Sequence, residues 1–175
     1  TAHENIDKFI KTGKEQVRPL QHKLRLIMWK FCGVIKNKIS LKEGLYEIKI
    51  LKSKLKDIDV RIDEYNCEDL SLMFDFQSSL LSAEATIISA LERSESRGAH
   101  QRSDFPQLDQ NLEYNCRVNF DLQSGNLNVT KIPLKKLNKN LSKIVKELEI
   151  EEDLKNKLIE KNIIFKSITY KLPIL

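Results

Sequence analysis

Glycine is scarce in this 175-residue chain, and Gly13, Gly33, Gly44, Gly98 and Gly125 never fall into a G-x-G-x-x-G or Walker spacing. A backbone without closely spaced glycines cannot wrap a pyrophosphate, so no nucleotide is expected to bind this fragment unaided. Cys32, Cys67 and Cys116 are odd in number and far apart, which argues against a disulfide framework or a thiolate metal site and for a reducing, cytoplasmic compartment. His3, His22 and His100 never stand three or four residues from another His or a Cys, so no metal centre is expected. Neither G-x-S-x-G nor H-E-x-x-H occurs, and the carboxylates fall on helical positions where solvated surface is the default. No apolar run reaches the roughly 18 residues that a bilayer span requires, so no direct membrane span is expected. The start, Thr1-Ala2-His3-Glu4, shows neither an initiator Met nor a basic segment leading into an apolar one, so the chain is expected to carry no secretory signal and to be a fragment of something longer.

What is present is charge, of both signs. The formal net charge is +5, but residues 1–130 hold 19 basic and 19 acidic side chains, and residues 131–175 hold 11 against 6. The body is neutral and only the tail is basic. Lys alternates with Glu and Asp along helical patterns instead of gathering on one face with aromatics, so nucleic acid is not an expected partner.

Apolar spacing points to helices. Leu20, Leu24, Met28 and Phe31, widened by Ile27, Val34 and Ile35, form one stripe, with Pro19 in a first turn. Met28, Trp29 and Phe31 are expected in the core. Ile6, Phe9 and Ile10 could add an earlier turn or two. Ser40-Leu41-Lys42-Glu43 has the form of a capping box opening a second helix, whose seam is Leu41, Leu45, Ile48, Leu51, Leu55 and Ile58. A third runs from about Glu68 to Arg93 on Leu70, Met73, Phe74, Leu80, Leu81, Ile87, Ile88 and Leu91, with Ala83, Ala85 and Ala90 allowing close approach. Three long amphipathic helices with short connections make an up-down-up bundle.

After Arg93 the helical period stops. Tyr114, Cys116, Val118 and Phe120 alternate with polar residues, and Leu127, Val129 and Ile132 follow a Gln123-Ser124-Gly125-Asn126 turn, which predicts a hairpin closed by Pro133. Leu134 to about Lys161 regains helical spacing, and Ile163–Leu175 reads as a terminal strand or docking arm. The expected fold is therefore mostly α: a three-helix bundle over 1–95, a loop and hairpin arm over 96–133, and a basic helical tail over 134–175.

One segment departs from the rest. Arg93 to Pro106 packs three Arg, a His, two acids, a Gly and a Pro into fourteen positions directly after a buried helix. Arginine and carboxylate are costly to desolvate unless each meets a partner, so such density suits a buried polar interface. Within it Glu95-Ser96-Arg97-Gly98-Ala99-His100, followed by Arg102, Asp104, Phe105 and Pro106, closely resembles the signature E-S-R-G-A-H-x-R-x-D-[FY]-P in the C-terminal helical domain of the succinate dehydrogenase/fumarate reductase flavoprotein family, which includes L-aspartate oxidase. Leu24, Met28-Trp29, Gly33-Val34, Leu41 and Leu45 are similar to the family's L-x-x-x-M-W-x-x-x-G-V segment and the helix after it, and Ala83-Glu84 with Ala90-Leu91-Glu92-Arg93 to its third helix. The resemblance covers roughly residues 16–133. It departs at Ser103 and at Asp109-Gln110-Asn111-Leu112, where the family often has further acids and a Trp.

The resemblance implies a spectrin-like three-helix subdomain of an FAD-dependent oxidoreductase, with electrons passing from succinate through FAD to an iron–sulfur subunit. Flavin and dicarboxylate would be held by upstream FAD-binding and capping domains, leaving no catalytic, cofactor-binding or metal residue in this fragment. Glu95, Ser96, Arg97, His100, Arg102 and Asp104 are the candidate interface residues, and Arg97, His100 and Arg102 would brace the bundle against the flavin domain or a neighbouring subunit. Localisation would be cytoplasmic, at the membrane through partner subunits. Two other readings are the corresponding domain of an L-aspartate oxidase and a stand-alone helical interaction module.

Overall fold

The structure is a computed structural model and describes residues 12–61, 67–136 and 138–160. The chain divides into two compact units, Thr1–Pro133 and Leu134–Leu175.

In the first unit, helix α1 (Val17–Phe31) buries Val17, Leu20, Leu24 and Ile27 at steps of three and four. Met28 and Phe31 pack against that core, but Trp29 does not: it is 82% exposed. At about 100° per residue Trp29 stands on the side of α1 opposite Ile27, so neighbours of the stripe in sequence are not neighbours in space. Val34 and Ile35, expected to widen the stripe, lie past the end of α1 and are also exposed. Ile35–Lys36 forms the short strand β1.

Helix α2 (Lys38–Lys54) begins before Ser40. Asn37 is its N-cap: the Asn37 side-chain oxygen accepts the Ser40 N–H at 2.9 Å, while the Ser40 hydroxyl accepts the Asn37 N–H at 3.1 Å. Ser40 therefore fills the reciprocal position of the box, normally held by Glu or Gln, because its short side chain can also reach back. Leu41, Gly44, Ile48 and Leu51 face inward. A Cβ on Gly44 would meet the Phe31 Cβ at 2.9 Å and the Ile87 side chain at 3.0 Å, so glycine lets α1, α2 and a third helix approach at that level. A 3₁₀ turn, Leu55–Asp57, closes α2, and Ile58 and Val60 complete its buried edge.

Helix α3 (Glu68–Glu92) buries Met73, Phe76, Leu80, Ala83, Ile87 and Ala90. These follow steps of three and four without a break, giving one straight seam. Phe76, not Phe74, is the aromatic in the core; Phe74 lies 39% exposed two positions away, off the seam. Of the three alanines expected to allow close approach, Ala83 and Ala90 are buried and Ala85 is half-buried.

Beyond α3 the chain makes strand β2 (Gln101–Arg102), parallel to β1 with Lys36 opposite Arg102, and then an antiparallel hairpin of β3 (Tyr114–Phe120) and β4 (Leu127–Pro133). The hairpin register runs from Tyr114 opposite Pro133 to Phe120 opposite Leu127. Its turn is held by Asp121, whose carboxylate accepts the Gln123 N–H and the Ser124 hydroxyl. The fold is thus mostly helical: a three-helix bundle, an extended arm carrying the hairpin, and a helical tail. In the second unit helix α4 (Lys139–Glu160) starts at Asn138, whose side chain accepts the Leu141 N–H at 2.9 Å. The expected turns at Ile6–Ile10 and the expected terminal arm at Ile163–Leu175 lie outside the described residues.

Candidate functional site

Four polar or charged residues are buried among the described ones: Lys36, Glu95, Ser96 and Arg102. Three of them belong to the segment that follows α3.

Arg102 is 2% exposed, and all three nitrogens of its guanidinium donate inside the chain. It donates to both carboxylate oxygens of Asp104 at 2.7 Å, to the Ala90 carbonyl at 2.8 Å and to the Arg93 carbonyl at 3.2 Å. The last two are end-of-helix carbonyls of α3, which have no partner within the helix. Asp104 in turn accepts the Lys38 N–H at 2.9 Å, in the first turn of α2. The ion pair therefore lies between a helix C-terminus and a helix N-terminus, cation toward the first and anion toward the second, each in its favourable orientation with the helix dipole. Arg102 beside it, followed by the Lys38 amide, holds the Asp104 carboxyl well below the usual carboxylate range despite partial burial.

Glu95 is fully buried and anchors a second set of ion pairs, to Arg93 and Arg97. Its carboxylate accepts from Arg97 at 2.9 and 3.2 Å, from Arg93, and from the Asp109 N–H at 2.9 Å. The Arg97 hydrogen bond is the chief reason its pKa falls to about 2, against the opposing effect of burial. Arg93 carries the network onward to the hairpin: it donates to the Leu112 and Tyr114 carbonyls and its guanidinium lies over the Tyr114 ring. Ser96 closes the loop between the two ion pairs, its hydroxyl accepting the Arg102 N–H and donating to the Phe105 carbonyl, both at 2.8 Å.

Arg97 and His100 are the ends of a tight turn, with mutual backbone hydrogen bonds of 2.8 and 3.0 Å. Gly98 sits there at φ +55°, in the left-handed region that favours glycine. Arg97 reaches the surface and His100 is half-buried, its Nε2 3.2 Å from the Arg93 carbonyl. Burial first, then nearby Lys36, Arg102 and Arg93, push the imidazole pKa down against the upward pull of that carbonyl, so the neutral ring is favoured. The six residues expected from sequence thus come together, but they divide: Glu95, Ser96 and Arg102 are buried, whereas Arg97, His100 and Asp104, though bonded within the chain, reach the surface.

Residues 21–156 match the family described as fumarate reductase flavoprotein C-term, well over half of the chain. The chain belongs to the C-terminal domain family of the fumarate reductase flavoproteins. It is 32% identical over 111 residues to an uncharacterized FAD-dependent oxidoreductase of Methanocaldococcus jannaschii, covering 61% of this chain and 20% of that protein. It is 37% identical over 91 residues to the L-aspartate oxidase of Pyrococcus horikoshii, covering 52% and 15%. Its fold superimposes on the E. coli quinol fumarate reductase with a TM-score of 0.67 at 20% identity, over 78% of this chain and 24% of that one. The chain thus spans a fifth or less of the length of these curated relatives.

Membership of the fumarate reductase flavoprotein C-terminal family implies FAD in the parent protein, and neither the N-termini of α2 and α3 nor the positive-φ glycines fit the flavin's pyrophosphate. The N-terminus of α2 is taken by Asn37, Ser40 and Asp104, α3 opens with Glu68 and Asp69, and the positive-φ glycines Gly98 and Gly125 lie in turns between strand-like segments instead of before a helix. Among the described residues there is no group of three or more His, Cys, Asp or Glu placed to hold a metal ion, and no helix long and apolar enough to cross a membrane. Sequence reasoning missed Asn37 and Lys36. Asn37 could have been found by testing each Asn, Ser or Asp before the apolar period as a cap, whereas the burial of Lys36 depends on its pairing with Arg102 across β1 and β2.

Proposed function

We propose that this chain is the C-terminal helical domain of an FAD-dependent succinate dehydrogenase/fumarate reductase-type flavoprotein subunit, whose parent converts succinate to fumarate and passes the electrons to an iron–sulfur subunit. The domain supplies no catalytic group. It is the structural and interface piece, and Arg97 and His100 at the surface of the ordered turn are the groups it offers to the upstream FAD-binding and capping domains. The parent works in the cytoplasm or at a membrane surface through its partner subunits. The observation that carries this reading is the network from Glu95 to Asp104: its ion pairs join α3, α2 and, through Arg93, the hairpin, and leave one hydrogen-bonded turn at the surface.

The 37% identity to an L-aspartate oxidase supports a second reading, in which the parent oxidises L-aspartate to iminoaspartate in NAD biosynthesis. A stand-alone interaction module is the third. The test is to purify the full-length native protein and record its size, its flavin absorbance and its turnover of succinate, fumarate and L-aspartate. A yellow protein several times larger than 20.4 kDa that oxidises succinate is expected. Turnover of aspartate alone would favour the second reading, and a colourless protein of this length would overturn both. In the yellow protein, Arg97→Ala and His100→Ala should weaken flavin retention or subunit assembly; normal retention and assembly in both would remove their interface role.

A further inference from the structure

The hairpin of β3 and β4 has no third strand among the described residues. In an antiparallel ribbon, residues alternate between pairs whose N–H and C=O groups face each other and pairs whose groups point away. The Asp121 N–H donates to the Asn126 carbonyl at 2.9 Å, so Asn119, Arg117 and Asn115, at steps of two from it, bond to β4. Cys116, Val118 and Phe120 therefore turn their N–H and C=O groups outward. The far end of β3 agrees: Tyr114, in the same alternation, sends its N–H to the Leu112 carbonyl and offers its carbonyl to Arg93, both outside the hairpin. Past Tyr114, no hydrogen bond among the described residues reaches these outward groups. Their side chains share an apolar face, with Val118 opposite Val129 and Phe120 opposite Leu127. Phe120 is 44% exposed there, and Leu122 just beyond it 88%. Strand edges are ordinarily blunted by several charges, a Pro or a covering element. Strand β3 has Arg117 alone and no Pro.

We propose that the β3 edge pairs antiparallel with the β3 edge of a second copy, about a two-fold axis at Asn119, joining two hairpins into one four-stranded sheet. The charges choose this register over its neighbours. With the axis at Arg117, the two guanidinium groups would stand opposite each other; with the axis at Val118, Arg117 would meet only Asn119. With the axis at Asn119, Arg117 of each copy stands opposite Asp121 of the other, the two Asn119 amides face each other, and Val118 lies opposite Phe120 and covers its exposed ring. The outward N–H and C=O groups of Val118 and Phe120 then bond to Phe120 and Val118 of the second copy. Strand β4 is the poorer edge: Pro133 has no N–H to give, and Lys131 is already paired with Glu92.

The test places a cysteine on the axis of the full-length protein, in a Cys67→Ser background that removes the exposed native thiol. Asn119 meets its counterpart there as a non-hydrogen-bonded pair, with Cα atoms about 4.5 Å apart, within the reach of a disulfide. Asn119→Cys should therefore give a reducible dimer under mild oxidation at micromolar concentration. Asn128→Cys, opposite Asn119 on β4 and roughly 14 Å from its own counterpart, should stay monomeric, as should the background alone. Adding Arg117→Glu, which sets like charges opposite each other, should cut the dimer yield roughly tenfold, and Arg117→Lys should keep it. A monomer throughout, equal dimers from Asn119→Cys and Asn128→Cys, or a yield unmoved by Arg117→Glu would overturn the proposal. So would a mixed disulfide with a different polypeptide, which would make β3 the edge for another protein's strand.

Discussion

Replacing Arg102 by methionine tests the network at its centre. Methionine keeps the apolar stem but ends where the guanidinium begins, so the packing of the stem is retained while the charge and all donors are lost. The Ala90 carbonyl then loses its Arg102 donor at the end of α3, the Arg93 carbonyl is left with His100 alone, and Asp104 keeps a carboxylate near the Lys38 amide with no cation beside it. Breaking a buried pair by removing one partner costs about 3–5 kcal/mol; Asp104 is 28% exposed, so the low end of that range, about 3 kcal/mol, applies. Against a total stability of about 5–15 kcal/mol for a domain, that should move the urea midpoint of the helical circular-dichroism transition far toward zero denaturant. Some of the loss comes from the stranded anion, so Arg102→Met with Asp104→Asn should recover roughly 1–2 kcal/mol relative to Arg102→Met alone. A single variant within about 1 kcal/mol of the wild type, or a double variant whose loss is the plain sum of the two singles, would refute the reasoning.

Gly44→Ala should destabilise the bundle by about 1–3 kcal/mol by overpacking, because the new methyl meets the Phe31 Cβ and the Ile87 side chain at or below 3.0 Å; denaturation midpoints check it, and an unchanged midpoint would mean the helices shift freely. Glu95 has a folded-state pKa lowered from 4.5 to about 2, so its contribution is fully present above pH 4.5 and is lost as pH falls toward 2. Acid titrations of wild type and Glu95→Gln should therefore converge as pH drops through that window, and parallel curves would contradict the assignment. His100, whose pKa is lowered from 6.5, contributes with the opposite charge type but the same sign: folding favours the neutral ring, and stability should fall as pH drops below 6.5 by an amount that disappears in His100→Gln.

The three bundle helices and the hairpin were legible because their signals are local. Leu20, Leu24, Leu41, Ile48, Leu51, Met73, Leu80 and Ile87 stand at helical steps whatever packs against them, and all are buried. Alternation around a Gly-containing turn similarly marked β3 and β4. The sequence misled where spacing was ambiguous. Trp29 follows Met28 and precedes Phe31, but one residue of rotation puts it in water. Ser40-Leu41-Lys42-Glu43 fits a capping box as written, yet Asn37 offers its side-chain oxygen three residues earlier and takes the N-cap.

The candidate site was half legible. Its composition, dense in Arg and acid after a buried helix, already required partners, and the run Glu95-Ser96-Arg97-Gly98-Ala99-His100 carried the family resemblance. Composition cannot say which partners. Whether a guanidinium meets a carboxylate two residues away, a carbonyl on the preceding helix or another domain depends on where β1 brings residue 36 beside residue 102, a contact across 66 positions. By itself, then, the sequence determined the helices, the hairpin, the balance of charge and the family, all of which follow from neighbours along the chain. Only the tertiary structure decided that Arg102 and Glu95 turn inward, that Trp29 turns outward and that Lys36 is buried opposite Arg102, because desolvation and charge pairing are set by what folding brings close in space.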